Sequence, residues 1–211
     1  MNAPAHLTAA APVAAPVAPR LTVTAATPGS LEAAADDALV MAARAGEARA
    51  LDCLVTRYRS RVYFLVRSLL PPGVDPEDAT QETFARAVAA LSSYEPQGRF
   101  RTWLLTIAAN VCRSVHRRGR ARRETSLDES APTATGPPMW ELGERSALQR
   151  AVLRAVDGLP ALYRAPVVLH YLHELPLAEV AQVLGRSRPA LKMQLWRARV
   201  LLARELAEWV G

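Results

Sequence analysis

LAEVAQVLGRSRPALKMQLWRAR, residues 177–199, decides how this chain is read. Leu177, Val180, Ala181 and Leu184 recur at helical spacing and give one short apolar face. Gly185 can adopt the positive φ that ends a helix, and Ser187 can cap the next one. Pro189 falls in the first turn of that second helix, where a missing N–H costs little. A short helix, a glycine turn and a longer basic helix make the helix-turn-helix arrangement. Ala181 is small where the two helices would cross.

In the second helix Leu191, Leu195, Leu202 and Val200 are expected to face inward. Arg186, Ser187, Arg188, Lys192, Met193, Gln194 and Arg197 are left at the turn and outer face as candidate DNA contacts. In a major groove Lys and Arg donate to guanine and Gln pairs with adenine. Trp196 has two readings of equal weight, a core residue or a contact to a thymine methyl. The competing account is an ordinary helical hairpin with a basic, solvated face.

Charge favours the DNA reading. Residues 186–204 hold six basic residues and no acid, and residues 99–123 hold eight Arg and no acid. The remaining 12 basic residues share the rest of the chain with all 20 acids. Two acid-free patches on an otherwise acidic chain point to a polyanion. Arg outnumbers Lys 25 to 1, which weakens the signal, because genome composition can also favour Arg.

Upstream, the apolar residues Leu51, Leu54, Val55, Tyr58, Val62, Leu65, Val66 and Leu69 follow helical spacing until Pro71-Pro72. Asp75-Pro76-Glu77-Asp78 reads as a helix start, and Ala79, Phe84, Ala87, Val88 and Leu91 carry that helix inward. A loop from Ser92 to Gly98 leads to a third stripe, Phe100, Trp103, Leu104, Ile107, Ala108, Val111 and Val115, which ends in the arginine cluster. These helices make a bundle over 35–118. Residues 119–143 lack periodicity and contain Gly136-Pro137-Pro138, so they read as a flexible linker. A second domain is expected over 144–211. It opens with a helix carrying Leu148, Val152, Leu153 and Val156. The next carries Leu162, Val168, Leu169 and Leu172, with Pro166 either starting or bending it. Residues 1–34 hold 12 Ala and 5 Pro but only Arg20 and Glu32 as charges, and read as a disordered tail. The fold class is all-α, two small helical domains.

Other classes are set aside. No apolar run reaches the roughly 20 residues that cross a bilayer. Cys53 and Cys112 make no disulfide scaffold, and a reducing cytoplasm is the expected home. His170 and His173 could share a metal by spacing, but no third ligand is evident, so no metal site or cofactor is expected. No catalytic residue stands out: there is no phosphate loop and no nucleophile motif.

Two blocks also carry a family resemblance. DPEDATQETFARA (75–87) and FRTWLLTIAANVCRSVHRR (100–118) resemble regions 2.2 to 2.4 of the extracytoplasmic-function (ECF) sigma factors of the sigma-70 superfamily. Residues 159–202 resemble their region 4. The resemblance covers about 36–118 and 144–208. It implies a dissociable specificity subunit of bacterial RNA polymerase, without chemistry of its own. The first domain would bind the clamp helices of the largest polymerase subunit through Asp78, Gln81, Glu82 and Phe84. Tyr94, Gln97, Arg99, Asn110, Arg113, Arg117 and Arg118 would hold the −10 element, with the loop Tyr94–Gly98 lining a pocket for a flipped base. The second domain would bind the −35 duplex. An anti-sigma factor is a further implied partner. Two departures bear on promoter choice: Ser114 replaces the usual Asp, and Pro189-Ala190-Leu191-Lys192 replaces Gly-Thr-Val-Lys or -Arg. The alternative is a helix-turn-helix repressor or activator that binds duplex without polymerase; an adaptor protein is a third reading.

Overall fold

The computed structural model describes residues 33–71, 73–125 and 146–210. Every regular element among them is helical. Four helices build the first half: α1 (Asp36–Arg44), α2 (Ala48–Leu69), α3 (Pro76–Ala90) and α4 (Phe100–Thr125). Asp75 starts α3 as its composition suggests, its carboxylate accepting from the Glu77 N–H at 2.8 Å. A short 3-10 turn, Leu91–Ser93, leads into the loop before α4. Leu39, Leu54, Val62, Leu65, Leu104, Leu105 and Val111 fill the core between these helices.

The second half runs through α5 (Ala147–Gly158), α6 (Ala161–Val167), a π turn (Val168–Leu172), α7 (Leu177–Leu184), α8 (Arg188–Glu205) and a last turn, α9 (Ala207–Val210). Ser146 and Gln149 make a reciprocal capping box at the start of α5. Pro166 neither starts nor ends α6; it lies buried inside it, and the π turn follows at once. Pro166 has no N–H to offer the Leu162 carbonyl, and Arg186 Nη1 donates to that oxygen at 3.1 Å.

The two halves are packed together. The core of the bundle continues without a break into Ala165, Leu169, Leu175, Val180, Val183, Leu184 and Leu191. Tyr63 and Phe64 of α2 belong to the second half's own core, with Leu153, Val156, Val167, Val168 and Leu195. Polar contacts cross the same boundary. Arg67 pairs with Asp157 at 3.0 Å, both side chains nearly covered. Arg101 donates to the His173 carbonyl at 3.1 Å, and the Thr102 hydroxyl donates to Glu179.

Several apolar positions expected inward lie outside. Val88, Leu148, Leu162 and Val200 are exposed, at 45%, 50%, 49% and 37%. Helix α4 also continues to Thr125, past the expected end at 118. The expected tail over 1–34 and linker over 119–143 fall largely outside the described residues.

Candidate nucleic-acid interface

The turn between α7 and α8 forms as the local chemistry dictates. Gly185 has φ 63° and closes α7. A Cβ there would meet Arg113 Nη1 at 3.1 Å, so the glycine also makes room for the bundle's arginine. The Arg186 N–H donates to the Ala181 carbonyl at 3.1 Å. Ser187 caps α8, accepting from the Ala190 N–H at 3.4 Å, with Pro189 in the first turn.

Helix α8 is divided around its circumference. Leu191, Leu195 and Ala198 are buried at i, i+4 and i+7. Ser187, Arg188, Lys192, Met193, Trp196 and Arg197 face solvent. Trp196 is 55% exposed and Met193 equally so, which removes the core reading of Trp196. Arg197 reaches the Tyr163 hydroxyl at 3.5 Å. Arg186 and Gln194 stand apart from this face. Arg186 Nη1 donates to Gln194 Oε1 at 2.9 Å as well as to Leu162, and both residues are half-buried. Burial pulls the Arg186 pKa below its ordinary value. These two hold the turn against α6.

The second basic surface lies at the far end of α4. Arg113 donates to Asn110 Oδ1 at 2.5 Å, so two expected contacts meet. Arg113, Arg117, Arg118 and Asn110 are exposed. His116 Nε2 and the Leu69 carbonyl lie 2.7 Å apart, tying α4 to the end of α2.

The loop Tyr94–Gly98 is held from two sides, by residues the sequence reading did not single out. Arg44 donates to the Leu91 carbonyl at 2.6 and 2.8 Å and to the Tyr94 carbonyl. Asp37 accepts from the Tyr94 hydroxyl at 2.7 Å and from the Gly98 N–H at 2.6 Å. Tyr94 is only 5% exposed and packs against Phe100 and Trp103, with ring centroids 5.6 and 5.1 Å away. Desolvation, then the Asp37 hydrogen bond, raise its pKa. Tyr94 thus shapes the loop from beneath, while Gln97 and Arg99 lie exposed on it.

On α3, Asp78, Gln81 and Glu82 share one exposed face; Glu82 pairs with Arg86 at 2.7 Å. Phe84 lies off that face, half-buried against the core. Among the described residues no group of His, Cys, Asp and Glu is placed to hold a metal, and no helix is long and apolar enough to cross a membrane. Cys112 is buried in the bundle, and burial pushes its thiol up to about 12.

Comparison with known proteins matches both halves. Residues 54–123 match the Sigma-70 region 2 family, and residues 149–202 match Sigma-70, region 4. The ECF RNA polymerase sigma factor BldN of Streptomyces coelicolor is 35% identical over 173 residues, 81% of this chain; the chain spans 65% of BldN's length. The ECF RNA polymerase sigma-E factor of Escherichia coli K12 is 30% identical over 174 residues, covering 78% of this chain and 90% of that protein. Among solved structures, CnrH in complex with the cytosolic domain of CnrY aligns with a TM-score of 0.55 at 28% identity, over 84% of this chain and all of CnrH. RpoE from Bartonella quintana, solved with the anti-sigma factor NepR, shares the fold with a TM-score of 0.57 at 23% identity, over 72% of this chain and 94% of RpoE. Two helical regions in the family's order, each with its own match, leave one conclusion: the chain belongs to the ECF sigma factors of the sigma-70 family.

Proposed function

We propose that this chain directs bacterial core RNA polymerase to its own promoters by gripping them at two places. The exposed face of α8 reads the −35 duplex. Arg188, Lys192 and Arg197 supply donors for phosphates and guanine edges, and Met193 and Trp196 offer apolar surface to thymine methyls. The far end of α4, with Asn110, Arg113, Arg117 and Arg118, follows the backbone beside the −10 element. The clamped loop with Gln97 and Arg99 receives an unstacked base. The exposed face of Asp78, Gln81 and Glu82 meets the polymerase clamp helices, and Phe84 supports that face from below. The subunit supplies recognition, the polymerase supplies the chemistry, and the work is done in the cytoplasm.

The observation that carries this reading is the exposure of Lys192, Met193, Trp196 and Arg197 on one capped helix, opposite a buried Leu191–Leu195–Ala198 stripe. An anti-sigma factor belongs to the same reading. It is supported by the likeness to CnrH, solved with the cytosolic domain of CnrY bound. Run-off transcription tests the whole. The purified chain with core polymerase should start transcripts at one shared motif in the host genome. Duplex binding without polymerase-dependent starts would favour the repressor or activator instead.

A further inference from the structure

Helix α1 begins with two adjacent acids that serve different ends. Asp36 ties the helix to α2. Arg57 donates to its Oδ1 at 2.7 Å and to the Ala34 carbonyl at 2.9 Å, and the Tyr58 hydroxyl donates to its other oxygen. Leu39 and Val40 are fully buried beneath. These contacts fix α1 to the bundle and use nothing of Asp37. Asp37 turns instead to the loop before α4. Its Oδ1 accepts from the Tyr94 hydroxyl at 2.7 Å and its Oδ2 from the Gly98 N–H at 2.6 Å. One carboxylate therefore bridges the two ends of the Tyr94–Gly98 loop. Arg44, about two turns further along α1, holds the approach by donating to the Leu91 and Tyr94 carbonyls.

A first-turn acid and a last-turn arginine suit the helix dipole wherever the helix sits. That account asks nothing of their partners. Here both side chains leave their own helix and close on groups 47 to 61 positions away. Between the clamped ends Glu95, Pro96 and Gln97 are exposed, and the Gln97 amide donates to Glu95 at 3.0 Å. Gly98 takes φ 68°, and a Cβ there would meet nothing within 4 Å. The glycine thus serves the backbone turn that brings its N–H to Asp37, and not a need for space. The tip offers side chains to a ligand while its frame is held by a helix outside the loop.

We infer that Asp37 and Arg44 are positioning residues for base capture: they hold the Tyr94–Gly98 loop in its receiving form before DNA arrives. This rests on the reading of that loop as the one that receives an unstacked −10 base. Both residues precede the stretch 54–123 that matches Sigma-70 region 2, so the match gives them no role. The clamp lies wholly within the first half and draws nothing from the seam between the halves. A loop ordered beforehand avoids the entropy loss that a mobile loop suffers on binding. A site also discriminates well only when its groups are held to within about 0.5 Å.

Holoenzyme assembled from core polymerase and the full chain tests this on fork-junction DNA of a promoter mapped by run-off transcription. Each −10 position of the non-template strand is replaced in turn by an abasic site. With the wild-type chain, one position should lose affinity by about tenfold or more relative to the intact fork. Asp37→Ala and Arg44→Gln should each shrink that loss to about threefold or less, with affinity for the abasic fork within about twofold of wild type. Asp37→Asn, which can keep one end of the bridge, should fall between. Residues that only support the fold would weaken every fork alike and leave the position-specific loss intact. Circular dichroism melting identifies any variant that does not fold. Tyr94→Phe, which keeps the ring and removes only the hydroxyl end of the bridge, then carries the same measurement. Folded variants that keep the wild-type loss at that position overturn the inference. A wild-type chain that starts transcripts yet shows no sensitive −10 position removes the base-receiving reading, and this inference with it.

Discussion

Helices α4 and α8 are both basic and both free of acids in their arginine-rich parts, yet they segregate charge differently. Helix α4 divides along its axis: Leu104, Leu105, Ala108 and Ala109 bury its first half, and the exposed arginines crowd its end. Helix α8 divides around its axis, with Leu191, Leu195 and Ala198 inside and Lys192, Met193, Trp196 and Arg197 outside along the same turns. A charged tip can follow a phosphate backbone without entering a groove. A whole face can lie in a groove and meet base edges. The lesson is that equal charge density supports two kinds of contact, and the burial pattern decides which.

The comparison breaks most severely at its inner side. Leu191→Ala removes a fully buried side chain where α8 meets the shared core. It should cost about 2–5 kcal/mol of stability in chemical denaturation. A loss of under about 1 kcal/mol would mean the core collapses around the gap. On the outer side, Lys192→Ala or Trp196→Ala should change −35 base preference by about 1–3 kcal/mol at particular positions. Uniform weakening across all −35 sequences would reclassify them as backbone contacts.

A smaller effect comes from His173, which lies 3% exposed beside the seam. Neither ring nitrogen has a hydrogen-bond partner among the described residues. Burial first, then Arg61 and Arg101, lower its pKa from 6.5 to about 3. Above pH 6.5 the ring is neutral folded or unfolded, so stability is unaffected. As pH falls below 6.5 the unfolded chain binds a proton that the fold refuses, and stability drops until about pH 3. At pH 5.5 this amounts to about 1.4 kcal/mol. His173→Phe should remove that component from the pH dependence of thermal unfolding; an unchanged profile would show that His173 does not contribute. The mildest change is predicted at the tip of α4. Arg117→Ala with Arg118→Ala should reduce the salt slope of promoter binding by nearly 2, equally on all sequences. An unchanged slope would take both residues out of the interface.

Much of this was legible from local chemistry. Gly185, Ser187 and Pro189 announce the turn because each meets a backbone demand there, and the missing acids mark the two exposed basic surfaces. The seam was not legible. Tyr63 and Phe64 sit beside a stripe that already accounts for a bundle helix, and nothing local says what lies beyond them. The run Val62–Val66, five buried apolar residues in a row, was the neglected clue. A helix apolar on all sides is enclosed on all sides. The clamp on the Tyr94–Gly98 loop stayed hidden for another reason. Asp37 and Arg44 act on residues 57 and 47 positions away, and no sequence period links them.

The carbonyl that Pro166 leaves unclaimed has an evolutionary corollary. Because Arg186 occupies it, the turn into α8 is tied to an imino acid 20 positions upstream. A sister protein with an ordinary residue at 166 would supply its own amide and release that arginine. Its α8 could then settle at another angle with every solvent-facing side chain left alone.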